Sequence, residues 1–519
     1  MTSSNTDGNE KEKSTAICDS NSSKPNLKGD WLNFFLLLLL YTMQGFPLGL
    51  TSAIPIILQS QNDISYQDQA LFSLAGWPFS LKLLWAPLVD ALYIQRIGRR
   101  KSWLIPVQYL MGTCFLYMAN DIDDLLPNTG TPNIPVLMCM FFISNFLAAT
   151  QDIVVDSWAL TMLKKNNVGH ASTCNTTGQA IGVMLGSVFP ILFASEDFCN
   201  KYLRVTPMTG GLMTMKSVLY VWGLIFICVT TLIAIFKKEK DCRLELDHVK
   251  LNVVQNYTLL GDILKLPSIR ILAIALLTAR VGFSVTDTVT YLELVDAGVS
   301  KDDITVINTA MFVVKILIPL VTAKYTSGPK PMSIYLKSTA IKLIWSLAFI
   351  LLVYFTPMLI NDDGVINNPM YYYAILILIL FVDEILSYIM FVAVLAFFSR
   401  ISDPRFGGTY ITFLNTVTNL GATWTSTVAL GVIDLLTFKK CSFDSYNSCS
   451  TLDDQNECET IGGDCVTTVD GFYLGTLLSV TFGFAWYGFF KNIIKKLQTK
   501  GSSHWMVNIK RPTTENIQI

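Results

Sequence analysis

Charged side chains stand inside stretches of this sequence that are otherwise apolar. Asp152 and Asp156 lie in the run Gln151-Asp-Ile-Val-Val-Asp156. Four residues apart, they share one face of a helix. Arg280 and Asp287 are seven apart, again one face. Lys82, Lys315 and Lys342 each sit among apolar neighbours, and Asp383 and Glu384 follow the run Ala374-Val382. A charge at mid-bilayer costs at least ~2.5 kcal/mol even on lenient scales, so such groups face a cavity or one another. The chemistry open to them is ion pairing between helices, proton exchange, or binding of a charged solute. For Arg280 with Asp287, pairing and substrate contact are both open. For Asp152 and Asp156, a structural or proton-coupling role fits better than contact with an anion. Asp287, Asp383 and Glu384 are candidates for the same kind of role. Two polar stripes, Asn175, Thr176 and Gln179, and Asn415, Thr416, Thr418 and Asn419, read as helix-to-helix hydrogen bonding or as ligand contacts.

A second constellation lies in a loop. Asp90 precedes Gly98-Arg99-Arg100-Lys101. A carboxylate closing one helix, opposite a basic turn opening the next, can lock the two together and release them when the halves of a carrier rock. Plain anchoring by positive loop charge is the competing reading. The pattern resembles the loop signature of the major facilitator superfamily, with extra residues between the Asp and the Gly.

The elements that hold these residues follow from composition. The chain has 519 residues, 51% hydrophobic and 15% charged, with mean hydropathy +0.45 and net charge −1. Soluble domains carry about 25% charged residues, so the solvent here is lipid. The net charge points to no nucleic-acid partner. Apolar runs long enough to span a bilayer recur at 33–58, 71–93, 103–120, 134–158, 173–194 and 216–236. A Lys-rich linker covers 237–267. Further runs follow at 268–292, 304–323, 333–357, 370–398, 409–435 and 471–492. The expected class is an all-α polytopic membrane protein of about twelve spans. It divides into a disordered tail (1–30), an N-terminal half (31–236), the linker, a C-terminal half (268–492) and a tail (493–519). Gly and Pro in the first two runs, among them Pro47, Pro55, Pro78 and Pro87, are candidate helix breaks.

Loop charge orients the chain. With a cytosolic N-terminus, sixteen Lys and Arg fall on the cytosolic side, beginning with Arg96, Arg99, Arg100 and Lys101. The opposite side holds five: Lys201, Arg204, Lys301, Lys439 and Lys440. Both termini are then cytosolic. The cysteines agree. Cys441, Cys449, Cys458 and Cys465 share the polar loop 436–470 on the non-cytosolic side. Two disulfides in an oxidising compartment are expected, in any of three pairings. A zinc site would want Cys-x-x-Cys-like spacing, which is absent. The sequons at Asn21, Asn175 and Asn256 fall in cytosolic or membrane segments, where they would go unused.

Missing motifs bear on function as well. No P-loop, Ser nucleophile elbow or His-Glu-x-x-His site occurs in the sequence. The three His, His170, His248 and His504, lie in or near cytosolic segments, which disfavours a membrane acyltransferase with a buried general base. No enzyme activity and no cofactor are expected.

Several segments carry a family resemblance. They are Gln44-Gly-Phe-Pro-Leu-Gly-Leu50, Ser80-Leu-Lys-Leu-Leu-Trp-Ala-Pro-Leu-Val-Asp90, Gly98-Arg-Arg-Lys-Ser-Trp103 and Ala149-Thr-Gln-Asp-Ile-Val-Val-Asp-Ser-Trp-Ala-Leu160. To these add Phe198-Cys-Asn-Lys-Tyr-Leu-Arg204, Ser402-Asp-Pro404 and Gly407-Gly-Thr-Tyr-Ile-Thr-Phe-Leu-Asn-Thr-Val-Thr-Asn-Leu-Gly421. Together they resemble the acetyl-coenzyme A transporter family from about residue 33 to the C-terminal tail. The Trp85-Ala-Pro-Leu-Val-Asp90 element also resembles bacterial muropeptide permeases. The resemblance implies a major facilitator fold of two six-helix halves in the endoplasmic reticulum membrane. It implies a transporter that brings cytosolic acetyl-coenzyme A into the lumen, with coenzyme A as exchange partner and a homodimer as assembly. Coenzyme A carries roughly four negative charges near neutral pH, so its cavity should offer cations. Arg280 ranks first because the guanidinium fork clamps phosphate bidentately. Lys82 is second, and Lys315 and Lys342 third. The alternatives are a permease for another anionic solute, such as a nucleotide sugar or muropeptide, and a membrane receptor or acetyltransferase for acetyl-coenzyme A.

Overall fold

Apolar runs of membrane-spanning length become helices because a chain in lipid must satisfy its backbone internally. The computed structural model describes residues 27–59, 71–72, 74–126, 132–164, 166–194, 196, 199–206, 208–239, 252–360, 368–442, 458 and 465–507. Most of the expected N-terminal tail, Cys449 and much of the linker and of the Cys-rich loop lie outside them.

The N-terminal half begins with α1 (Trp31–Gln59), then two short helices, α2 (Trp77–Leu81) and α3 (Ala86–Ala91). It continues with α4 (Lys101–Leu125), α5 (Ile134–Met162), α6 (His170–Ala194) and α7 (Met215–Phe236). α8 (Val253–Lys265) leads into the second half, made of α9 (Pro267–Ala279), α10 (Ser284–Asp296), α11 (Lys301–Thr326), α12 (Pro331–Phe355), α13 (Pro369–Ile401), α14 (Gly407–Leu436) and α15 (Gly471–Leu497). Between α14 and α15, β1 (Phe438–Cys441) pairs antiparallel with β2 (Cys465–Val469).

Nine of the described helical segments are long and apolar enough to cross a bilayer, counting α9 through α10 as one. Three of the expected runs are helical without meeting that measure. The second is the chopped segment Leu74–Ala91, where a 3-10 turn at Leu74–Gly76 precedes α2 and another at Lys82–Leu84 separates α2 from α3. The third is α4, which carries Asp121, Asp123 and Asp124 near its end. The eleventh is α14, 30 residues long and rich in Thr and Asn.

Helix ends follow local chemistry. Asn133 accepts a hydrogen bond from the Val136 N–H at α5, Thr214 from Ser217 at α7, and Asp470 from Phe472 at α15. The expected break in the first span is absent, since α1 runs unbroken through Pro47 and Pro55. Its glycines serve packing instead. A Cβ on Gly182 of α6 would meet the Thr42 carbonyl oxygen at 2.2 Å, and one on Gly45 would meet that of Gln179 at 2.4 Å. The two backbones touch, and only hydrogen fits between them.

The apolar cores are drawn from one half or the other. Met43, Phe46, Phe115 and Phe226 belong to a cluster of the first half, and Phe283, Leu343, Phe398 and Trp486 to a cluster of the second. Polar bonds join the halves, and they gather at the face of the basic loop. Thr409 bonds to Asp90, Asn415 to Asp156 at 3.3 Å, Ser327 to the His170 ring at 3.0 Å, and Thr177 to the Ile316 carbonyl at 3.5 Å.

Candidate functional site

Among the described residues, three charged centres and one cation without a carboxylate partner stand in the helical core. The first centre lies in the N-terminal half. The Lys82 ammonium, in the 3-10 turn that interrupts the second span, is buried against the Asp152 carboxylate of α5. Gln44 of α1 donates to the other oxygen of Asp152 at 2.6 Å. One helical turn on, Asp156 receives Tyr41 at 2.7 Å, Asn175 at 3.1 Å and, from the other half, Asn415 at 3.3 Å. Three neutral donors solvate that carboxylate in place of water.

The second centre lies in the C-terminal half. Lys342 of α12, 1% exposed at its side chain, donates to Asp287 of α10 at 2.8 Å, to both oxygens of Asp383 of α13 at 2.9 Å and to Ser387 at 2.7 Å. The Phe283 ring lies 5.1 Å from the ammonium. Beside it, Lys315 of α11 pairs with Glu384 at 3.3 Å.

The third centre closes the basic-loop face. Asp90 is 3% exposed and accepts from Arg99 and Arg100, each at 3.1 Å, through one oxygen. Its other oxygen accepts the Thr409 N–H at 2.7 Å and the Thr409 hydroxyl at 2.9 Å. The turn itself depends on Gly98, whose φ of +108° excludes most side chains. Glu239 accepts from the backbone N–H groups of Arg100 and Lys101, opening α4 with an anion. Lys101 reaches the carbonyls of Ala234 and Lys237 at the end of α7.

The remaining cation is Arg280. It opens the 3-10 turn Arg280–Phe283 that separates α9 from α10. It is half-buried and within electrostatic reach of the buried Tyr335. Among the described residues no carboxylate pairs with it. The expected choice between Asp287 and substrate is thus narrowed: Asp287 is engaged by Lys342, not by Arg280.

Asn175, Asn415, Asp152, Asp156 and Lys82 come together in one cluster, and Lys342, Asp287 and Asp383 in another, with Lys315 and Glu384 adjacent. Gln179 is half-buried on α6, and Asn419 is exposed on α14. Tyr41, Ser387 and Thr409 were not singled out from the sequence. A hydroxyl among apolar residues carries no signal until its carboxylate partner is known. In the loop beyond α14, Cys441 is bonded to Cys458. Cys465 stands opposite Cys441 in the strand ladder.

Comparison with known proteins bears on this arrangement. The family model described as Acetyl-coenzyme A transporter 1 matches residues 33–252 and 243–507. An uncharacterized protein of Schizosaccharomyces pombe is 31% identical over 480 residues, covering 92% of this chain and 89% of its own length. An uncharacterized membrane protein of Saccharomyces cerevisiae is 28% identical over 548 residues, covering 92% and 98%. The anhydromuropeptide permease of Escherichia coli K12 is 27% identical over 161 residues, 31% of each chain. Among solved structures, the major facilitator superfamily transporter FucP in its outward conformation aligns over 88% of this chain and 98% of its own, at 13% identity and a TM-score of 0.49.

Proposed function

The chain belongs to the acetyl-coenzyme A transporter family, and from that premise we propose that it carries acetyl-coenzyme A from the cytosol into the lumen of the endoplasmic reticulum. Coenzyme A leaves in exchange, through a cavity between two six-helix halves, and both termini are cytosolic. The observation that carries the substrate site is Arg280. It is a membrane-embedded guanidinium at a helix break, without a carboxylate partner among the described residues. A phosphate needs a cation whose charge is not already spent, and a guanidinium meets it with two parallel hydrogen bonds. Lys82, Lys315 and Lys342 each hold a carboxylate. They reach a phosphate only by giving that carboxylate up, which ranks them below Arg280. Asn175, Gln179, Asn415 and Asn419 supply neutral hydrogen bonds along the path.

In this reading the basic-loop face is cytosolic, and the Asp90 centre with its tie to Thr409 is the cytosolic gate. On this reading, the bonds gathered at that face hold the carrier closed toward the cytosol. Release of Asp90 from Thr409 and of Asp156 from Asn415 lets the halves rock apart there. Four Cys in one loop opposite that face fit an oxidising lumen, and a homodimer is the proposed assembly. A second reading, a permease for another anionic solute, draws on the partial match to the anhydromuropeptide permease.

The deciding experiment is uptake of radiolabelled acetyl-coenzyme A into liposomes holding the purified protein, with and without coenzyme A inside. Saturable uptake that rises with internal coenzyme A supports import by exchange. Absence of uptake by folded protein, with uptake of a nucleotide sugar or muropeptide instead, turns the assignment to the second reading.

A further inference from the structure

The two buried lysine centres differ in how their carboxylates are satisfied. In the N-terminal half, Lys82 holds Asp152, while Asp156 has three neutral donors of its own. Both anions are hydrogen-bonded independently. In the C-terminal half, Asp287 and Asp383 share one ammonium. Among the described residues Asp287 has no other side-chain donor, and neither has Asp383. Lys342 spends its three N–H groups on these two carboxylates and Ser387.

Two carboxylates against one ammonium leave a net charge of −1. In a low dielectric that charge is expensive, and two acids in one site do not both ionise easily. Binding one proton removes the excess. The protonated acid becomes a donor to its neighbour, Lys342 stays an ammonium, and the cluster is neutral. Among the described residues no other cation touches these carboxylates: Arg280, seven residues before Asp287, forms no ion pair with either. Lys315 is neutralised by Glu384. Tyr291 on α10 lies within electrostatic reach of Asp287, Asp383 and Glu384, and Tyr388 on α13 of Glu384; neither is a cation. α15, packed against α12, has no charged side chain before Lys491, and Tyr473 and Tyr487 are its other titratable groups. The site also has access. The side chain of Asp287 keeps 26% of its exposure, against 1% for Lys342. A carboxylate facing lipid tails is disfavoured by cost, so the open side of Asp287 is taken to face water.

We propose that Asp287, Lys342 and Asp383 form a proton-binding site, holding one exchangeable proton between the two carboxylates. Water reaching Asp287 delivers the proton and removes it. The consequence for transport rests on the reading of Arg280 as the substrate clamp. Asp287 lies seven residues from Arg280, roughly 12 Å along the 3-10 turn and the first turn of α10. A polyanion bound at Arg280 therefore favours the protonated, neutral cluster, and its binding takes up a proton.

The test needs no substrate. Infrared difference spectra of the full chain in lipid, recorded between pH 5 and pH 9, report the carbonyl stretch of a protonated carboxylic acid. The wild type should show such a band with a component, titrating in this range, that belongs to Asp287 and Asp383; any component from Asp156 is subtracted with Asp156→Asn. Asp287→Asn and Asp383→Asn should each abolish the first component, while Asp152→Asn and Asp156→Asn leave it in place. Lys342→Gln should raise the midpoint and enlarge the band, since both acids then hold protons. Circular dichroism and monodisperse elution identify folded variants, and Lys342→Gln decides the matter should either Asn variant misfold. No such component in the wild type, or the same component in both Asn variants, overturns the site. Failure of acetyl-coenzyme A transport with the band intact would count against the substrate reading alone.

Discussion

Asp90 and Thr409 are 319 residues apart in the chain, and one carboxylate oxygen of Asp90 receives both the backbone N–H and the hydroxyl of Thr409. An anion of one half thus caps the first turn of a helix in the other. The neighbouring glycine makes room for it, because a Cβ on Gly408 would stand 2.9 Å from the same carboxylate.

The tie predicts a conformational effect. A hydrogen bond to a charged group contributes about 1.5–3 kcal/mol. Asp90→Asn retains shape, loses charge and also gives up the pairing with Arg99 and Arg100. The closed arrangement at the basic-loop face should lose at least about tenfold in population. Spin labels on the two halves at that face should report longer distances in Asp90→Asn than in wild type. Unchanged distances would remove Asp90 from any gating role.

The glycine seam between α1 and α6 predicts a stability effect at a distance from any charge. Gly182→Val places a Cβ 2.2 Å from the Thr42 carbonyl and 2.7 Å from the Gly45 Cα. Backbone on both sides cannot yield as a flexible side chain would, so the helices must separate. Overpacking of this kind costs about 1–3 kcal/mol. The thermal midpoint in detergent should fall, whereas Gly261→Ala, in the interior of α8 with no atom within 4 Å of the added Cβ, should not lower it. Equal midpoints for the two variants would show that the seam is not a tight contact.

Arg280 predicts a transport phenotype that separates charge from geometry. Arg280→Ala removes the cation and should lower acetyl-coenzyme A uptake at least about tenfold, the loss expected for one charge-assisted contact. Arg280→Lys keeps the charge without the planar fork and should fall between the two. The double variant with Lys82→Gln should be no better than Arg280→Ala alone. Transport that survives loss of charge at both positions would sink the assignment.

Much of this was legible in the sequence, and the reason is the solvent. Lipid demands long apolar runs, so the sixth expected span, 216–236, differs from α7, Met215–Phe236, by a single residue. What stayed hidden depends on tertiary contact. Nothing local announces the 3-10 turn at Arg280–Phe283, since no proline interrupts it. Gly282 packs there against Gly483, where an added Cβ would stand 2.7 Å from the Gly483 Cα. The linker reads as polar, yet α8 buries Leu259 and Ile263. Spacing along α10 pairs Asp287 with Arg280 on one face, but α12 brings Lys342 closer from 55 residues away. Periodicity reports which face a residue takes, and it is silent on which helix arrives opposite.

The bridge described in the cysteine loop lies at the end of β1 and predicts a linked fragment; the second expected bridge involves Cys449, outside the described residues. Cys441 joins Cys458 across 17 residues, with Cα atoms 5.8 Å apart. Closing a loop of that size contributes on the order of 3 kcal/mol by restricting the unfolded chain. Cys465 stands opposite Cys441 in the ladder and is the competing partner. Peptide mapping of unreduced protein should recover the Cys441–Cys458 pair as one linked fragment. Cys441→Ser should free a thiol at Cys458 and lower the thermal midpoint about as far as reductant lowers that of the wild type. A linked fragment joining Cys441 to Cys465 instead would reassign the bridge to the strand ladder, and a midpoint indifferent to both reductant and Cys441→Ser would leave the loop without a stabilising role.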